Sequence, residues 1–227
     1  MFFPYFDSTM ILLIPAFILA VWAQIRVKSA YRKYQNVRSA SGLTGAKAAQ
    51  LILHGQGITD VGVEAVPGEL SDHYDPRSKT VRLSKNNYHS GSLAALAIAA
   101  HEVGHAIQHA KNYVPLQLRH AILPVTSFAS WAAFPLFFIG FFMGTKLLIN
   151  LGIIFFASVV AFHLVTLPVE FNASRRALVQ LQNQGMLVAE EISGARKVLN
   201  AAALTYVAAA AMALLQLVRL ILLSRDN

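Results

Sequence analysis

The sequence predicts a mainly α-helical, multi-pass membrane protein with four transmembrane helices and a small cytoplasmic α+β part. Three observations carry this. The 227 residues are 56% hydrophobic and only 13% charged, where a soluble domain averages about 25% charged, and the mean hydropathy is +0.50. Apolar stretches recur that are long enough to cross about 30 Å of hydrocarbon. Between the first and second of them the hydrophobic period changes from helical to alternating. The formal net charge of +8 could belong to a nucleic-acid binder. The cations flank the apolar stretches, however, and do not line a groove-fitting helix, which favours a membrane surface and speaks against nucleic acid. There are no cysteines, so disulfides and thiolate metal sites are excluded and His, Asp and Glu remain as ligands.

Taken in order, the chain divides into five segments. Residues 1–25 hold the first span: the short aromatic start at 1–7 is followed by an apolar run at 10–23. Its first cations, Arg26, Lys28, Arg32, Lys33 and Arg38, come after the run and not before it. This reads as an uncleaved anchor with the N-terminus outside and the next segment in the cytoplasm. Residues 26–120 form the cytoplasmic part. Gly42-Leu43-Thr44-Gly45 breaks the emerging helix, and residues 46–54 follow as a helix capped by Thr44 and stopped by Gly55 and Gly57. Val61, Val63 and Thr80-Val81-Arg82-Leu83 read as short strands, separated by turn signals at Pro67-Gly68 and Asp75-Pro76. Such a sheet either holds an extended substrate on its edge or is a hairpin that completes the fold. His73 and Tyr74 could donate to a substrate oxyanion, but a surface turn accounts for both.

Residues 121–167 form a membrane hairpin: two apolar stretches joined at Gly144-Thr145-Lys146, with Pro124 and Pro135 tolerated in lipid. Residues 168–198 return to the cytoplasmic side, where Arg175 and Arg176 stand where positive charge is expected. Residues 199–227 contain the fourth span and a tail, with Arg219 placed to snorkel outward.

Inside the cytoplasmic part lies His101-Glu102-Val103-Gly104-His105, in a run at 92–110 without proline. A helix there puts residues i and i+4 on one face. Two neutral imidazoles at that spacing can share one zinc ion, with the intervening Glu102 as base for a water at the metal. A pair of ordinary histidines on a half-buried helix is the bland account of so short a match. A third ligand decides between them, because catalytic zinc sites use three protein ligands and leave a position for water. His109 is two turns past His101, and eight residues of helix rise about 12 Å, too far for both to reach one ion. The extended pattern with a third histidine fails, since Gln108 and Lys111 stand where its glycine and histidine would be. Of the later carboxylates, Glu190 and Glu191 are explained as helix-start charges, and Asp226 falls on the far side of the membrane. Glu170 remains, at the cytoplasmic end of the third span, where an unpaired carboxylate is costly. Its alternative role is a headgroup-level charge or a partner for Arg175 or Arg176.

Residues 101–109 together with Leu167-Pro168-Val169-Glu170-Phe171-Asn172-Ala173-Ser174 resemble the bacterial membrane neutral zinc metallopeptidases of the YugP type. Asp72-His73-Tyr74-Asp75-Pro76 and the stretch from Arg38 to Gly45 fit the same pattern. The resemblance implies a zincin-like domain, one zinc ion on His101, His105 and Glu170, and peptidase activity at the cytoplasmic face of the inner membrane. It further implies polypeptide substrates, membrane proteins among them. The site is also similar to membrane gluzincins, whose E-x-x-A-D aspartate braces a zinc-binding histidine. Here Ser174 stands at that aspartate; a serine can hydrogen-bond an imidazole but brings no charge, so either Asn172 or another group orients the ring, or the bracing is weaker. His163, seven residues before Glu170 in the third span, reads either as a functional ionisable group or as a neutral histidine hydrogen-bonded between helices.

The expected activity is zinc-dependent endopeptidase cleavage at the membrane face. Its rivals are cleavage within the bilayer and a metal-free membrane scaffold. Small-residue helix faces such as Ala208-Ala209-Ala210-Ala211 allow association with other membrane proteins.

Overall fold

The computed structural model describes residues 8–225. The aromatic start at 1–7 and Asp226 lie outside the described residues. A short 3-10 helix, Ser8–Leu13, leads into α1 (Ile14–Tyr34); then come α2 (Gly45–Gly55), β1 (Gly62–Val66), β2 (His73–Asp75), β3 (Thr80–Ser84), α3 (Lys85–His89), α4 (Leu93–Ala110), α5 (Val114–Met143), α6 (Lys146–Asn183) and α7 (Ala189–Arg225). The protein is mainly helical, as its composition predicts, and the chain separates into two compact units.

Among the described residues, one unit comprises 8–23, 118–167 and 205–225. It draws on helices long and apolar enough to cross a membrane, and 4 such helices are present among the described residues. Its core joins Ala133, Phe137, Ile149, Phe156, Val160, Ala213 and Leu220. Glycine permits the close approach of α5 and α6: a Cβ on Gly152 would lie 2.7 Å from the Phe137 nitrogen, and one on Gly140 would lie 2.6 Å from the Ile149 nitrogen. Large apolar side chains such as Phe17, Trp131 and Phe142 stay exposed, as lipid-facing residues must. Pro124 and Pro135 sit inside α5 without ending it. Arg219, expected to snorkel, donates from Nε to Thr9 Oγ1 at 3.2 Å.

The other unit comprises Gln24–Gln117 and Pro168–Leu204. Its core is built on α4, where Leu93, Leu96, Val103 and Ile107 are buried with a set of alanines. Helix α2 packs on α4 and starts at Thr44, whose side chain accepts from Lys47 N as its sequence predicts. Its partner α4 starts at Ser92, which accepts from Ala95 N at 3.2 Å. The stretch after α1 is laced to this start by Ser39 N to Gly91 O (2.9 Å), Leu93 N to Val37 O (2.8 Å) and Gly45 N to Ser90 O (3.0 Å). A Cβ on Gly45 would collide with the Asn87 carbonyl.

The sheet differs from the simplest expectation. Its order is β1-β3-β2, with β1 parallel to β3 and β2 antiparallel to it. The two strands foreseen from alternation are therefore parallel neighbours and not a hairpin. The hairpin is formed by β2, which includes His73 and Tyr74 in place of the expected turn. Asp72 explains the difference: its carboxylate accepts from Ser84 N at 2.8 Å and from Asn87 Nδ2 at 2.9 Å, clamping the chain before β2 onto the end of β3. Helix α6 runs unbroken from the third apolar stretch through Pro168 to Asn183.

Candidate metal centre

Helix α4 fixes the first two side chains. One turn apart, the His101 and His105 rings have centroids 4.8 Å apart at 86°. Opposite them runs the second part of α6, and Gly104 sets how near it comes. A Cβ at Gly104 would lie 2.7 Å from the Ala173 carbonyl oxygen and 3.1 Å from its Cα, so only glycine allows this approach. One turn before Ala173, Glu170 enters the gap and is 2% exposed. Its Oε2 stands 3.3 Å from His101 Nε2 and 3.6 Å from His105 Nε2.

This donor set fits zinc. Ligand atoms of the three residues lie within 4.8 Å of one another. In a tetrahedral zinc site, bonds of about 2.0–2.1 Å place neighbouring ligand atoms roughly 3.4 Å apart, close to the two carboxylate–imidazole distances. The far nitrogens of both rings are engaged elsewhere: His101 Nδ1 with Ser174 Oγ at 3.1 Å and His105 Nδ1 with Gln108 Oε1 at 3.0 Å. That leaves the two Nε2 atoms to face the carboxylate, the arrangement expected of metal-ligating histidines. Burial works to lower the His105 pKa, but the Glu170 hydrogen bond and the charges of Glu102 and Glu170 outweigh it and raise it. The same negative field attracts a cation. Glu102, next to His101 in the helix, is buried.

Asn172 and Ser174 join the group by different routes. Ser174 reaches His101 directly, whereas Asn172 acts on Gln108: its Oδ1 accepts from Gln108 Nε2 at 3.1 Å and from Arg176 Nε at 2.7 Å. Gln108 is the residue that sequence reasoning missed, having met it only as the wrong residue for a longer histidine motif. The signal was a glutamine one turn past His105, and it is fully buried. The remaining candidates lie elsewhere. His73 is an exposed strand residue whose Nδ1 faces Ser71 O at 2.8 Å. Tyr74 Oη pairs with His109 Nδ1 at 2.8 Å, and its pKa is pushed up to about 12 by burial and by Asp60 and Asp75. His163 belongs to the other unit, with its ring 6.0 Å from that of Phe162. Glu191 accepts from Ala40 N at 2.7 Å and from Val188 N at 3.0 Å, in keeping with its place at the start of α7.

Helices long and apolar enough to cross a membrane, in a chain with a partly buried His–His–Glu group that could hold one ion, point to a membrane zinc metalloprotein. Comparison with known proteins narrows this. Residues 9–225 match the family model described as "Putative neutral zinc metallopeptidase". The chain is 50% identical over 212 residues to the "Putative membrane protease YugP" of Bacillus subtilis (strain 168), covering 93% of this chain and 94% of that protein. No solved structure gives a significant match. The chain thus belongs to the neutral zinc metallopeptidase family, and it is a zinc protease of membrane type.

Proposed function

We propose that the protein is an endopeptidase of gluzincin type, with His101, His105 and Glu170 as its zinc ligands and Glu102 as its general base. The observation that carries this reading is the convergence of one carboxylate oxygen on two imidazole Nε2 atoms at 3.3 and 3.6 Å. When bound there, zinc supplies a Lewis acid that brings the pKa of water toward about 7 and polarises a carbonyl. Glu102 takes the proton of the attacking water on its carboxylate and delivers it to the leaving amine. Burial of Glu102 and Glu170 excludes bulk water from both carboxylates and strengthens each electrostatic contact. Glu102→Gln is the direct test. Zinc content should be unchanged and peptide cleavage should be lost, read by metal analysis beside a fluorogenic peptide assay; retained cleavage would overturn the assignment.

In this reading the site works at the cytoplasmic face of the inner membrane, with the N-terminus outside and polypeptides, including membrane proteins, as substrates. Residues 1–25, 121–167 and 199–227 lie in or beside the bilayer, and 26–120 with 168–198 form the part in water. The support is the run of cations after the first span, Arg26, Lys28, Arg32 and Lys33. Since the chain has no cysteine, a single Lys85→Cys variant reports sidedness without background. An impermeant maleimide should label it only in opened cells.

A further inference from the structure

The two histidines of the centre are held by different devices. Ser174 Oγ lies 3.1 Å from His101 Nδ1, and a hydroxyl can rotate to donate or accept, so it imposes no tautomer. His105 meets a chain of groups whose polarity is set throughout. The chain starts at Arg176, whose Nε can only donate and lies 2.7 Å from Asn172 Oδ1. The Asn172 atom facing Arg176 must therefore be the oxygen. That oxygen lies 3.1 Å from the amide of Gln108, and the Val169 carbonyl lies 2.8 Å from the same amide nitrogen. Turning the Gln108 amide over would set its oxygen against two other oxygens in a buried place, where an unsatisfied polar group costs about 1–3 kcal/mol. Its Oε1 is thus held toward His105 Nδ1 at 3.0 Å. An oxygen there can only accept, so Nδ1 carries a hydrogen, and Nε2 is the nitrogen left to give up its proton and offer a lone pair to a metal.

We propose that Gln108, oriented by Asn172 and Arg176, is a positioning residue that locks His105 in its Nδ1–H tautomer and presets Nε2 as a metal donor, while His101 is left adjustable. The Gln108 bond to Val169 O adds a second effect. It ties α4 to α6 one residue before Glu170 and so holds the carboxylate in register with the rings. The inference rests on the zinc-peptidase reading for the use made of that lone pair, but the tautomer itself does not depend on it.

The experiment compares wild type, Asn172→Leu, Asn172→Asp and Arg176→Leu as full chains in detergent. The readouts are zinc affinity by chelator competition and the ring-nitrogen NMR pattern of His105 in zinc-free protein at a pH where the ring is neutral, assigned by its loss in His105→Asn. Wild type should show the Nδ1–H tautomer. Asn172→Leu and Arg176→Leu should show mixed tautomers and bind zinc about 10–100-fold more weakly, with unchanged helical content. Asn172→Asp keeps an acceptor for both Gln108 and Arg176 and should stay near wild type, which a merely structural role for the amide would not predict. Wild-type affinity and tautomer in both leucine variants would overturn the proposal, as would an aspartate variant as weak as the leucine one. A wild type that binds no zinc would overturn the metal-centre reading instead, with the NMR comparison left to decide the tautomer.

Discussion

Helix α4 brings His101 and His105 to the centre from adjacent turns of a helix whose other faces are packed: Leu96, Ala97, Ala100 and Val103 are all 1% exposed or less. Helix α6 brings one carboxylate, Glu170, whose position depends on contacts with α4. Those contacts are the glycine-sized gap at Gly104 and the Gln108 bond to Val169, 61 residues away in the chain. The geometry of the α4 half is intrinsic to helical periodicity. That of the α6 half is a product of packing, so it should be the softer part of the site. The comparison also extends to how each ring is braced, a lone hydroxyl for His101 and a polarised amide chain for His105.

The largest effect should follow removal of the α6 carboxylate. Glu170→Ala leaves both histidines in place, yet zinc affinity should fall by more than the about 100-fold that loss of an outer partner costs, and cleavage should vanish. Because zinc binds the folded state, adding it should raise the melting temperature of wild type far more than that of this variant, and a chelator should lower the wild type to the same level.

Next comes the gap itself. Gly104→Ala sets a methyl 2.7 Å from the Ala173 carbonyl. Helix α6 must then yield by a few tenths of an ångström, beyond the about 0.2 Å tolerance of metal–ligand distances. Overpacking of this kind costs about 1–3 kcal/mol, so both zinc affinity and thermal stability should drop, with the affinity loss smaller than for Glu170→Ala. Equal zinc binding in the Gly104 variant would show that α6 adjusts freely and that the two halves are not mechanically coupled.

A smaller change should come from evening out the braces. Ser174→Asp gives His101 a charged acceptor and should tighten zinc binding several-fold. Ser174→Ala should weaken it by about 10-fold or less, the low end for an outer partner. If Ser174→Ala matched Asn172→Leu, the proposed inequality of the two braces would be gone.

The smallest effect lies away from the centre, in the sheet that precedes α4. Asp75 accepts from Arg82 Nη1 at 2.7 Å and from Ser78 Oγ at 2.8 Å, which holds its carboxyl well below the usual carboxylate range. A folded-state pKa below the unfolded value of about 3.9 stabilises the fold above that pH and is lost as pH falls toward the folded value. Asp75→Asn should therefore flatten the melting temperature below about pH 4 and leave zinc binding at neutral pH unchanged.

Much of this was legible in the chain because it rests on short-range rules. Helix α4 and the facing of His101 and His105 follow from local periodicity, and Thr44 announced α2 by its capping chemistry. The four long apolar helices follow from composition. The unbroken α6 was less legible: Pro168 marks a boundary in sequence, while the packed surroundings of Val169, Ala173 and Ala177, each 1% exposed or less, carry the helix through it. Strand β2 was hidden because three residues give no period, and its place depends on the Asp72 clamp. The pairing of Tyr74 with His109 was hidden for the same reason, since neither residue type implies the other.

By itself, then, the sequence determined two imidazoles on one face of a helix, a glutamate between them, and a supply of carboxylates small enough to single out Glu170. Tertiary structure alone decided that Glu170 reaches both rings, that Ser174 and Gln108 occupy their far nitrogens, and that Asn172 serves His105 through Gln108 and not directly. The physical reason is range. Helical spacing is set by bonds between residues four apart, whereas the zinc-sized gap is set by how closely two backbones can pass, and at Gly104 that distance is fixed by a missing methyl group.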